Sequence, residues 1–238
     1  MSVAVIIPCH SYPELLPRAI ESVRNQTVLP DRILLCLDGV DPLRYADPVS
    51  DLYPDKRIAV VAHANVGVAA TMNLALEGLD SEWYFRLDED DEMRPRALEY
   101  LLKSTTLMDC AIHYSDWVRM GKWRGYITVP EFSKEQLLHG PFILSAALVK
   151  TSMWAAVKEA NGDGYDTGID AWEDYLFYLE AACLGFEGTR VGLPLVRYYR
   201  HGQSRSSGVD KCNTPVVNYI QDKLDRLYNT RLLYGRSH

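Results

Sequence analysis

The densest chemistry in the sequence lies between Glu82 and Pro95, Glu-Trp-Tyr-Phe-Arg-Leu-Asp-Glu-Asp-Asp-Glu-Met-Arg-Pro. Trp83 to Leu87 is predicted to be a buried strand, and Asp88, Glu89, Asp90, Asp91 and Glu92 come directly after it. Carboxylates a few ångströms apart repel, so crowding them at a strand end costs stability unless something compensates. A divalent cation compensates, and hard oxygen ligands suit magnesium and manganese. A solvated acidic turn is the plainer alternative, because charge runs are usually exposed. A second acidic pair, Glu173-Asp174, opens a helical pattern, where the macrodipole favours a carboxylate and where acids also occur simply as caps. Glu173 is expected to push the pKa of Asp174 upward.

The elements that must position these groups are legible in the first hundred residues. Val3 to Pro8 is continuously apolar, as in a central parallel strand covered on both faces. Cys9-His10-Ser11 is the loop at its carboxyl end, and Tyr12, Leu15, Leu16, Ala19, Ile20 and Val23 then keep a helical rhythm. A strand from Ile33 to Leu37 ends at Asp38-Gly39, and a third from Arg57 to Ala62 leads to Asn65-Val66-Gly67. The next helix carries Val68, Ala69, Met72, Ala75, Leu76 and Leu79 on one face. Pro95 stands at a helix start, where its missing N–H costs nothing. This alternation predicts a doubly wound α/β sheet. Ligands of such sheets sit outside the carboxyl ends of the strands. His10, Asp38, Asn65 and Asp88 to Asp91 are therefore expected to converge on one crevice.

Beyond Tyr100 strands are expected at Ala111 to Val118, Ile127 to Phe132 and Phe142 to Val149, with a helical turn ending at Leu137 to Gly140. Asn161 to Gly168 reads as a flexible loop; its spacing does not match an EF-hand. A helix is expected from Ala171 to about Leu184, a strand from Val191 to Tyr199 broken at Pro194, and a closing helix from Thr214 to Tyr234.

Composition narrows the class. An apolar content of 47% and a charged content of 24% over 238 residues are those of an ordinary globular protein. A net charge of −7 argues against a surface built mainly for nucleic acid. The first residues lead straight into a strand without a signal-peptide pattern, and no apolar run reaches the ~18 residues that span a bilayer. Cys9, Cys36, Cys110, Cys183 and Cys212 are scattered and odd in number, which points to reduced thiols rather than a disulfide framework or zinc site. A cytoplasmic location is expected on these grounds.

With these motifs placed, the sequence resembles the inverting, nucleotide-sugar-dependent glycosyltransferases of GT-A fold, family two of the sequence classification. The resemblance spans residues 3 to 207. It rests on Val5-Ile6-Ile7-Pro8 with Ser22-Val23-Arg24-Asn25-Gln26-Thr27, Asp38-Gly39, Asn65-Val66-Gly67 with Asn73, Leu87-Asp88-Glu89-Asp90-Asp91, Glu173-Asp174, and Arg200-His201 with Ser204 and Ser207. Each motif alone is weak; six in order are specific. Two departures stand out: Leu37 precedes Asp38 where the family often has a second acid, and Thr71-Met72-Asn73 replaces a frequent Ala-Arg-Asn.

The resemblance implies a GT-A (Rossmann-like) α/β fold, a mostly parallel sheet flanked by helices, with a C-terminal acceptor-side region and a closing helix. It implies a domain over 1–207, with residues 1–100 binding the nucleotide sugar and 101–207 the acceptor, and a helical extension over 208–238. Asp90, with Asp88 or Asp91, would ligate Mn2+ or Mg2+ on the donor diphosphate, with His201 completing the shell. Pro8, Cys9, His10, Asp38, Asn65, Gly67, Asp88 and Glu89 would line the nucleotide-sugar pocket, a UDP-sugar being the expected donor. Asp174 would be the general base, with Glu173 beside it. Trp117, His139, Gly140 and Trp172 would face the acceptor, a glycan, lipid-linked or macromolecular hydroxyl.

Other readings attach to several of these residues. Asp38 also suits a turn before Gly39, and Asn65 with Gly67 suits a helix entry. The stretch His113 to Tyr126 mixes Trp117, Trp123 and Tyr126 with Arg119, Lys122 and Arg124. Such a mixture suits sugar rings with an anionic group, single-stranded nucleic acid, or a plain amphipathic hairpin. A sugar-nucleotide nucleotidyltransferase and a non-catalytic binding module are the competing functions. The first would need a Gly-rich basic loop after the first strand, which Pro8-Cys9-His10-Ser11-Tyr12-Pro13 is not.

Overall fold

The computed structural model describes residues 1–45, 55–200 and 214–233. Its strands are β1 (Val3–Cys9), β2 (Arg32–Asp38), β3 (Ile58–His63), β4 (Trp83–Arg86), β5 (Glu92–Met93), β6 (Ile112–Gly121), β7 (Gly125–Ile127), β8 (Leu148–Lys150) and β9 (Gly188–Arg200). Its helices are α1 (Leu16–Arg24), α2 (Val68–Leu76), α3 (Ala97–Leu107), α4 (Lys134–His139), α5 (Thr151–Asn161), α6 (Glu173–Cys183) and α7 (Thr214–Tyr228).

β3, β2, β1 and β4 lie side by side and parallel, as the alternation predicts. β8 then pairs antiparallel with β4, β6 antiparallel with β8, β9 parallel with β6, and β5 antiparallel with β9. Two reversals restore direction, so β6 and β9 point their carboxyl ends the same way as β1, β2 and β4. The sheet is thus mixed, with its parallel half built from the first hundred residues.

Burial on both faces explains the unbroken apolar run of β1. Val5 and Ile7 join Leu35 and Phe85 under α1 and α3, whereas Ile6 joins Cys36 and Tyr84 under α2, α5, α6 and α7. Pro194, which cannot donate to a ladder, coincides with a bulge: the pairing steps from Ser115–Val191 to Asp116–Pro194.

Three expectations are corrected. Only Leu148–Lys150 of the apolar stretch after Phe142 forms a strand, and a full helix, α5, begins directly at Thr151. Met153, Trp154 and Val157 form its buried stripe, and Gly162 ends it in the left-handed region at φ 87°. The segment from Asn161 to Gly168 is pinned rather than loose. Asn161 Oδ1 accepts the N–H groups of Asp163 and Gly164, Asn73 brackets Tyr165 through both its N–H and its carbonyl, and the Tyr165 ring stacks on Phe177 at 4.2 Å. Its Gly and Asp residues supply turn geometry, and its order comes from partners far away in the chain. The closing helix stops at Tyr228, earlier than expected.

Candidate active site

β4 delivers its acidic cluster to the carboxyl edge of the sheet, and a buried arginine at its last position organises the carboxylates on either side. Arg86 Nε lies 2.8 Å from Asp88 Oδ1, and Arg86 Nη1 lies 3.0 Å from Glu173 Oε1 at the first turn of α6. Burial works against the guanidinium charge, but Asp88, Glu173 and Asp174 outweigh it and hold the group firmly protonated. Asp88 Oδ2 also accepts from Ser145 Oγ at 3.3 Å. One cation thus joins two acidic motifs, its own position lying 87 residues from Glu173 in sequence.

Asp174 comes next to Glu173 on α6. Its Oδ1 accepts the Tyr175 N–H at 2.8 Å. Burial, then the Glu173 carboxylate, push its pKa up to about 7, against the opposing pull of Arg86 and the Tyr175 N–H. The chain enters α6 through Trp172 at φ 65° and ψ 26°. A bulky residue in the left-handed region is an outlier, and such strain gathers at functional sites. The Trp172 ring stands edge-on to Tyr175 at 5.9 Å, and the Tyr175 hydroxyl donates to Leu137 O at 2.6 Å. That bond brings the end of α4, with His139 and Gly140, beside the start of α6. Trp117 packs against both cores and stands edge-on to Tyr198 at 5.4 Å.

The loop after β1 is held by Glu89. Its Oε1 accepts the N–H groups of His10, Ser11 and Tyr12 at 2.9, 2.7 and 3.1 Å, and its Oε2 accepts the Tyr45 hydroxyl at 2.9 Å. Glu89 is buried, and protein donors meet both of its oxygens. Cys9 is buried as well, and burial raises its thiol pKa, so it faces the core. Pro8 stands in the parallel ladder opposite Cys36, and His10 is exposed, with Nδ1 2.8 Å from the Asp38 carbonyl. Asp38 Oδ1 accepts the Val66 N–H at 2.7 Å, so its carboxylate ties the Asn65-Val66-Gly67 turn to the end of β2. Gly39, at φ 66°, permits the close approach: a Cβ there would meet Asn65 at 2.3 Å. Gly67 caps α2 at φ 83°. His10, Asp38, Asn65 and the acidic cluster therefore stand along one edge, as expected of a switch-point crevice.

The acidic cluster divides by environment. Asp91 is buried and accepts the Tyr199 N–H at 2.8 Å; burial and the nearby Asp90 and Asp88 carboxylates raise its pKa well above the usual range. Glu92 pairs with Arg18 and Arg197 at 3.0 and 2.6 Å. Among the described residues no group of three or more His, Cys, Asp or Glu side chains converges as a self-sufficient metal cage. Asp90 and Asp88 are the carboxylates that could hold a cation taking most of its shell from substrate phosphates and water, as Mg2+ commonly does. His201, Ser204 and Ser207 lie outside the described residues.

Sequence reasoning missed Arg86, Ser145, Tyr45 and Tyr199. A signal for Arg86 existed, since an arginine inside Trp83-Tyr84-Phe85-Arg86-Leu87 must find carboxylates when buried. The others reach the site from elements whose positions only the fold supplies.

A mixed α/β sheet with acidic groups gathered along one carboxyl edge is the architecture of GT-A glycosyltransferases. The model of the glycosyl transferase family 2 matches residues 4–128, more than half of the chain, and the chain belongs to that family. It is 26% identical over 236 residues to a hyaluronan synthase of Pasteurella multocida, covering 94% of this chain and 23% of that protein. It is 24% identical to an uncharacterized glycosyltransferase of Haemophilus influenzae, covering 86% of this chain and 67% of that protein. S. aureus TarS 1-349 in complex with UDP-GlcNAc has the same fold, with a TM-score of 0.75 at 15% identity, over 95% of this chain and 67% of that one. The chain thus spans about a quarter of the length of the hyaluronan synthase. No helix among the described residues is long and apolar enough to cross a membrane.

Proposed function

We propose that the protein is a metal-dependent, inverting glycosyltransferase that moves a sugar from a nucleoside diphosphate onto an acceptor hydroxyl. The observation that carries this reading is the Arg86 bridge, which joins the Asp88 end of the acidic cluster to Glu173 and so sets Asp174 across from it. Family membership and the fold shared with TarS, whose structure is a complex with UDP-GlcNAc, support a sugar-nucleotide donor, and a UDP-sugar is the one to test first. Residues 1–100 serve the donor and 101–207 the acceptor.

In this reading the nucleoside lies along Pro8 to His10, Asp38, Asn65 and Gly67. Glu89 fixes the backbone of that loop, and Asp38 fixes the 65–67 turn against it. Asp90 and Asp88 would hold Mn2+ or Mg2+, which would supply charge neutralisation for the departing diphosphate. Asp174 takes the proton from the acceptor hydroxyl; the oxygen attacks the anomeric carbon, the bond to the diphosphate breaks, and the nucleoside diphosphate leaves with that electron pair. A single displacement inverts the anomeric configuration. A base with a pKa of about 7 is matched to this task near neutral pH. His139 and Gly140 at the end of α4, with Trp172 at the start of α6, form the acceptor side.

Thermal-shift measurements with a panel of sugar nucleotides and Mn2+ test the donor, because a ligand that binds the native state raises apparent stability by mass action. A shift with one nucleotide-sugar class, dependent on the metal, is the expected result. Pyrophosphate release from a nucleoside triphosphate and a sugar phosphate would replace the reading with nucleotidyl transfer.

A further inference from the structure

β6 and β7 form a hairpin whose tip, Gly121 to Arg124, projects from the same carboxyl edge that carries the acidic cluster. Trp123 is 70% exposed and Tyr126 54% exposed. Lys122 and Arg124 are exposed beside them, and Arg119 is half-buried on the strand leading to the tip. Acids on and beside the neighbouring strands are paired with other cations: Asp116 and Glu131 with Arg190 at 2.8 and 2.9 Å, and Glu92 with Arg18 and Arg197. Arg119, Lys122 and Arg124 make no ion pair or side-chain hydrogen bond among the described residues. In a chain of net charge −7 they form an exposed cationic patch, unpaired among the described residues, beside an exposed indole.

The patch is tied to the candidate site. Gly121 pairs with Arg200, so closely that a Cβ on Gly121 would meet the Arg200 carbonyl at 2.4 Å. The preceding pair is Met120 with Tyr199, whose N–H holds Asp91. The register that pairs Arg119 with Gly125 puts Lys122 at the apex and Trp123 across from Gly121, one step beyond that anchor. A chain of sugars leaving the site along this edge of the sheet would meet the tip.

We infer that the β6–β7 hairpin is a docking surface for an acidic glycan, the elongated acceptor of the same transfer reaction, so the inference rests on that reading. Arg119, Lys122 and Arg124 receive its carboxylates, and Trp123 with Tyr126 offers ring faces to its sugars. The exposed aromatic faces favour a chain of sugar rings bearing carboxylates over a phosphate-linked polyol, which has no ring face to stack.

Titration calorimetry at two salt concentrations tests this with an oligosaccharide carrying a uronate at alternate sugars, against the same chain with its carboxyls reduced. The Lys122→Ala, Trp123→Ala, Arg124→Ala triple variant changes only tip side chains, and UDP-sugar binding to it serves as the control. The expected result is binding of the acidic chain alone, weaker at high salt, and reduced roughly tenfold or more in the triple variant with UDP-sugar binding unchanged. Equal binding of the reduced chain, equal binding by the triple variant, or tighter binding of a polyol phosphate polymer, single-stranded DNA or phosphatidylglycerol vesicles overturns it. If the wild-type protein binds a sugar nucleotide but not the acidic chain, the hairpin assignment alone fails. If it binds no sugar nucleotide, the transfer reading fails first.

Discussion

Arg86 and Glu173 meet at 3.0 Å inside the protein, one at the end of β4 and the other at the start of α6. The same guanidinium holds Asp88 at 2.8 Å. This contact fixes the separation between the acidic cluster and the first turn of α6, on which the account of catalysis depends. Arg86→Met leaves buried carboxylates without their counter-charge, and removing one partner of such a group costs ~3–5 kcal/mol. Chemical denaturation is expected to show that loss, with turnover falling below detection. Arg86→Lys keeps the charge but not the planar fork, so an intermediate loss is expected in both measurements.

Glu89 predicts a different signature. Its carboxylate organises three consecutive backbone N–H groups from His10 to Tyr12. Hydrogen bonds to a charged group are worth ~1.5–3 kcal/mol each, against ~1 kcal/mol for neutral ones. Glu89→Gln is expected to weaken donor binding about tenfold by calorimetry while leaving kcat within a few-fold. An unchanged donor Kd would show that the loop does not shape the nucleotide pocket.

The raised pKa of Asp174 gives two pH predictions. As a base it works when ionised, so kcat/KM is expected to rise with pH and level off above about 7. Stability runs the other way. The folded value lies above the ordinary carboxylate value of about 3.9, so the stabilisation from the protonated group is complete below that value. It is lost as pH rises toward about 7. Asp174→Asn removes the penalty of ionising there. Its melting temperature is expected to exceed that of the wild type at pH 8, by ~2–4 °C for each ~1 kcal/mol recovered, by less at pH 5, and to match it only below the ordinary carboxylate value.

Lys223 of α7 is buried with Asp166 and with Glu180, the latter at 3.3 Å, and Tyr219 donates to Asp166 at 3.0 Å. These contacts fasten the closing helix to the segment leading into Trp172 and to α6. Lys223→Met is expected to lower stability by ~3–5 kcal/mol, and adding Asp166→Asn and Glu180→Gln should recover much of it. A triple variant no more stable than the single one would show that packing of α7, rather than charge pairing, holds the segment.

The parallel half of the fold was legible because burial on both faces writes itself into sequence as unbroken apolar strands, Val3 to Pro8 above all. The bulge at Pro194 was legible because proline lacks a donor. The Asp174 environment was anticipated in direction, since adjacent carboxylates repel. Helix α5 was not read: its buried stripe of Met153, Trp154 and Val157 is short and follows closely on another apolar stretch. The 161–168 segment was misread because Gly and Asp mark turns but say nothing of anchors such as Asn73 and Lys223. The division of labour within Asp88 to Glu92 was hidden for the same reason. Spacing shows that carboxylates are near one another, and only the fold shows that Glu89 turns to the β1 loop and Asp91 to Tyr199.

The most direct test of the account is release of nucleoside diphosphate from a UDP-sugar by the wild type and by Asp174→Asn, with donor Kd measured on both. The account predicts an unchanged Kd and turnover lower by ~10²–10⁴. Turnover equal to that of the wild type would contradict it.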